Sequence, residues 1–79
     1  MDYELWMEKA ESCITERMAV NRPFELSSLF EKHEWETLSK GDRISFGRFF
    51  ANAVRSGAIE NVAQLDRAKN NHAKYIKTE

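Results

Sequence analysis

A single cysteine, Cys13, stands in a chain of 79 residues, so no internal disulfide braces the fold. Small domains without a covalent or metal staple depend on a dense apolar core or on a partner surface. The only soft metal ligands are Cys13, His33 and His72, and no spacing brings them together, so no metal site is expected. The core must come from the aromatics: five Phe, two Trp and two Tyr. This apolar content excludes a disordered tail, which lacks the material to offset the entropy of ordering. No apolar run approaches the ~20 residues of a membrane span. Asp2, Glu4 and Glu8 do not read as a secretory leader, and cytoplasmic residence is the expectation.

Residues 2–20 predict one amphipathic helix. Tyr3, Trp6, Met7, Ala10, Cys13, Ile14 and Met18 follow i, i+3, i+4, i+7 spacing and share one stripe. Asp2 suits the N-cap, and Pro23 stops the helix because it lacks a backbone donor and biases Arg22 away from helical angles. Phe24-Glu25-Leu26 alternates and predicts a brief strand. Ser28 with Glu31 has capping-box spacing and predicts a short helix that buries Leu29 and Phe30, with Trp35 and Leu38 facing inward. Ser39, Lys40 and Gly41 form a break, Ser39 and Asp42 supply a cap, and a third helix spans about 41–56. Its apolar surface is Ile44, Phe46, Phe49, Phe50, Ala53 and Val54, and Gly57 suits a left-handed C-cap. Gly47 sits in mid-helix, which suggests close packing of another backbone there or close approach of a ligand, packing being the commoner reason. Val62–Arg67 and His72–Lys77 read as the arms of a β-hairpin with Asn70-Asn71 at its turn, and Tyr75 is expected inward.

The order α-β-α-α-β-β gives a mainly α chain with a small β-hairpin, an α+β fold. A short turn between the second and third helices, followed by a hairpin that adds strand 24–26, predicts one winged helix-turn-helix domain over residues 1–79. Its expected core draws on Trp6, Ile14, Phe24, Leu26, Leu29, Trp35, Ile44, Phe50 and Val54. The segment 24–75 contains Phe24-x-Leu26, Leu29-Phe30, Trp35-Glu36-x-Leu38, Gly41-Asp42-Arg43, Phe46-Gly47-Arg48-x-Phe50, Val54, Gly57 and Asn71-His72-x-x-Tyr75. With these residues the chain resembles a family of small bacterial and phage proteins catalogued only as a domain of unknown function, winged-helix-like in character. The resemblance implies a bacterial, phage or mobile-element origin and a compact intracellular protein. It supplies no activity, and the N-terminal helix lies outside it.

The net charge of −1 hides an asymmetry: residues 1–39 carry nine acids and four bases, residues 40–79 eight bases and four acids. Such a dipole suits a face for a polyanion. Ser45, Arg48, Asn52 and Arg55 recur at intervals of three, four and three, which puts them on one polar stripe of the third helix. In a helix-turn-helix this helix enters the major groove, where Arg reads guanine and Asn reads adenine. Arg48 and Asn52 are thus the expected base readers, with Arg43, Ser45 and Arg55 on phosphates. Arg67, Lys69 and Asn70 at the hairpin tip form a basic wing for the flanking backbone. The plainer alternative is a solvated polar face, with Arg48 paired to Glu34 or Glu36.

Catalysis is not expected. His33-Glu34-x-Glu36 lacks the second His of a metalloprotease helix, there is no glycine-rich phosphate loop that would announce a cofactor, and a chain this short has little room for a pocket of a few hundred Å³. Two readings remain. One is a small DNA-binding transcriptional regulator that reads double-stranded DNA with helix 41–56 and dimerises through helix 2–20. The other is a protein-interaction module, an inhibitor, immunity or adaptor protein, that meets a protein partner and no DNA.

Overall fold

In a computed structural model of the chain, residues 1–65 and 73–78 are described. Helix α1 (Tyr3–Arg17) is followed by β1 (Pro23–Phe24), a 3₁₀ turn (Leu26–Leu29), α2 (Lys32–Glu36), α3 (Lys40–Ser56), β2 (Val62–Gln64) and β3 (Tyr75–Lys77). This is an α+β fold in the order α-β-α-α-β-β. The strands form an antiparallel sheet ordered β1-β3-β2, an arrangement compatible with a winged helix.

Local chemistry explains the helix ends. The Asp2 carboxylate accepts from the Leu5 amide at 3.1 Å and caps α1. The Ser39 hydroxyl accepts from the Asp42 amide at 3.1 Å and caps α3, which starts at Lys40, so Gly41 lies inside the helix. Gly57 ends α3 at φ 84°, in the left-handed region that glycine enters without a steric penalty.

Four expectations are corrected. Helix α1 stops at Arg17, short of residue 20, because Met18 turns extended and Val20 bridges Lys77 of the sheet. The Lys77 ammonium then donates to the carbonyls of Thr15 and Met18 at 3.3 and 3.4 Å, tying the sheet to the end of α1. The segment 24–38 is neither a three-residue strand nor one helix. Leu26, Leu29 and Phe30 are all buried, and an extended Phe30 (φ −125°, ψ 155°) splits the 3₁₀ turn from α2 to allow it. The Ser28–Glu31 capping box does not form: the Ser28 amide donates to the Glu25 carbonyl at 3.0 Å, and the Glu31 carboxylate lies 3.3 Å from His33. Ile44, placed in the core by helical spacing, is 49% exposed.

The core sits between α1, α3 and one face of the sheet. Phe46 and Phe50 are fully buried, Tyr75 and Ile14 nearly so. Phe50 meets Tyr75 edge to face at 4.8 Å, a favoured geometry for two aromatic rings. Phe30 stacks on Trp35 at 5.5 Å and tilts against Trp6 at 4.8 Å, joining α2 to α1 through aromatic contact. Trp35 is half-buried and Leu38 buried, both inward as the one-turn spacing predicts. Tyr75 faces inward as expected, while Ile59 and Val62 extend the core beyond what periodicity indicates. Among the described residues, no helix is long and apolar enough to cross a membrane, and no group of three His, Cys, Asp or Glu side chains is placed to hold a metal ion.

Candidate nucleic-acid interface

Helix α3 is fixed from behind and open in front. Phe46, Phe50 and Val54 anchor one side in the core. At about 100° per residue, Ser45, Arg48, Asn52 and Arg55 fall within roughly an 80° arc on the far side. All four are exposed. Neither Arg48 nor Arg55 forms an ion pair or side-chain hydrogen bond with a described residue. Glu34, one of the two acids named as partners for Arg48, pairs instead with Lys9 at 3.2 Å. The stripe is therefore presented to solvent and is not locked against its own protein.

Arg43 behaves differently. It lies roughly 140° around the helix from Arg48, in line with the buried Phe50. Its stem is half-buried, and its Nε is shielded from solvent without a hydrogen-bond partner. A buried donor left unpaired costs about 1–3 kcal/mol, more for a charged group. Arg67, Lys69 and Asn70, with the turn expected at Asn70-Asn71, lie outside the described residues.

Two apolar side chains flank the stripe. Phe49 is 40% exposed and stacks on Tyr3 at 4.9 Å, where it helps to hold α1 against α3. Ile44 stands half out of the surface.

Sequence reasoning missed the concave surface. An open cleft of about 550 Å³ runs between α3 and the segment joining β1 to α2, contrary to the expectation that the chain is too short for one. Leu26, Gly47 and Ala51 line it together with Trp35 and Tyr75. Arg43, Arg48 and Arg55 bring positive charge to it, while Glu25 on its lining is paired to Lys74. The signal for this cleft was Gly47. Among the described residues no backbone packs against it, since a Cβ built there would meet nothing within 4 Å. A second open groove of about 590 Å³ lies between α1 and the segment 28–34, with Glu8, Glu16, Glu31 and Glu34 along it.

These features define a small α+β domain with a cationic, uncovered helix. Over residues 13–77 the chain matches the family described as Domain of unknown function (DUF1413), and it belongs to that family. The match takes in the C-terminal part of α1 and continues to residue 77, and so reaches further than the 24–75 segment that carries the resemblance in the sequence. No curated protein and no solved structure matches the chain.

Proposed function

We propose that this is a DNA-binding winged-helix protein, a small transcriptional regulator of bacterial or mobile-element origin, that lays α3 in the major groove. The observation that carries the reading is the outer arc of α3: Arg48, Asn52 and Arg55 are exposed, and neither arginine is paired with a described residue. Arg48 and Asn52 read base edges, because their side chains match guanine and adenine bidentately. Ser45 and Arg55 take phosphates, with Arg43 at the inner flank and Arg67, Lys69 and Asn70 on the adjoining backbone. Self-association through the outer face of α1 supplies the second half-site, with Leu5 as its exposed apolar contact.

Fluorescence anisotropy with random duplex DNA over a salt series tests this. A log–log slope of roughly −5 is expected for five to six phosphate contacts, at about −0.9 each. Arg55→Ala flattens the slope by about one, and Arg48→Ala weakens a selected site more than random DNA. No binding at low salt overturns the reading. The exposed Ile44 and Phe49 favour the second one in that event, a protein partner on the same face.

A further inference from the structure

We propose that the cleft at Gly47 is a binding site for a small organic anion: a carboxylate or phosphate monoester carried on a flat apolar body. Two observations meet there, and neither depends on DNA binding.

The first is Gly47 itself. Glycine weakens a helix interior, and close approach of another backbone is the usual compensation. No such backbone is present among the described residues, and the glycine opens onto the cleft instead. A side chain at this position would occupy the space that a ligand needs. The second is charge. Arg43, Arg48 and Arg55 all line the cleft, and the acid there, Glu25, already has Lys74 as a partner. Guanidinium groups match carboxylate and phosphate in planar, two-point geometry.

The remaining lining sets the ligand's other end. Leu26 and Ala51 are apolar, and the half-buried Trp35 offers ring surface for a flat body. The volume, about 550 Å³, falls within the range of small-molecule sites.

The test is a titration of the ¹⁵N-labelled full chain with phenyl phosphate, benzoate and inorganic phosphate, each followed by amide chemical shifts. Saturable shifts at Gly47, Ala51 and the Trp35 indole are expected with phenyl phosphate or benzoate. At least one of these should bind about tenfold or more tightly than inorganic phosphate, since ring burial adds to the charge contact. Gly47→Leu should abolish the shifts without lowering the melting temperature. Arg43→Gln should weaken binding about tenfold or more, and Arg43→Lys should fail to restore it. The proposal is overturned if inorganic phosphate binds as well as the aryl anions, if shifts scatter over surface Lys and Arg residues, or if Gly47→Leu folds and still binds. The same samples are titrated with duplex DNA. DNA binding without aryl-anion binding removes the cleft site alone, and the reverse removes the DNA reading alone.

Discussion

Replacing Gly47 by alanine should make the protein more stable. Gly47 is the eighth of the seventeen residues of α3, well inside both caps. Glycine there loses about 0.8–1.0 kcal/mol relative to alanine, mostly through the backbone freedom of the unfolded chain. The usual offset is a contact that a Cβ would destroy, and here a Cβ meets nothing within 4 Å. The full helix-propensity gain of about 1 kcal/mol should therefore appear. For a domain of this size that corresponds to a rise in Tm of about 4–8 °C. Thermal unfolding followed by circular dichroism measures it, and urea unfolding with an unchanged m-value shows that stability has changed without a change in the surface exposed on unfolding. Gly57→Ala is the internal control. Its φ of 84° is left-handed, so alanine there should cost about 1–2 kcal/mol and move Tm the other way. An unchanged or lower Tm for Gly47→Ala refutes the reasoning. It would mean that something inside the fold already requires the glycine, and the argument that it is kept open for a ligand would lose its first observation.

Ser39→Ala should lower stability by about 1 kcal/mol through loss of the cap on the Asp42 amide, whereas Ser39→Gly should cost only a few tenths. Urea unfolding of the pair checks this, and equal losses would show that the hydroxyl is not what holds the first turn. Sedimentation velocity at high concentration should show a dimer that Leu5→Glu dissociates, since Leu5 stands 46% exposed on α1. A monomer at every concentration refutes association through that helix.

What could be read in the sequence follows from how local each determinant is. The third helix was legible from end to end because its signals sit within a few residues of one another: Ser39 and Asp42 at its start, Gly57 at its end, and Phe46, Phe50 and Val54 between. The inward face of Tyr75 was legible for a similar reason, since a strand offers only two faces. Segment 24–38 was not, because its shape is decided by where Leu26, Leu29 and Phe30 must all go, and that depends on α1 and the sheet. Ile44 was misplaced because periodicity gives the direction of a helix's apolar face but not its width. The cleft could not be read at all. It assembles Trp35 from α2, Gly47 and three arginines from α3, and Tyr75 from β3, and no spacing rule links residues that far apart. Yet its one local trace was visible as a broken rule, a glycine in mid-helix. Where such a break has a compensating contact, the fold accounts for it. At Gly47 the fold supplies none, so the reason for the residue has to be sought in what enters the space beside it.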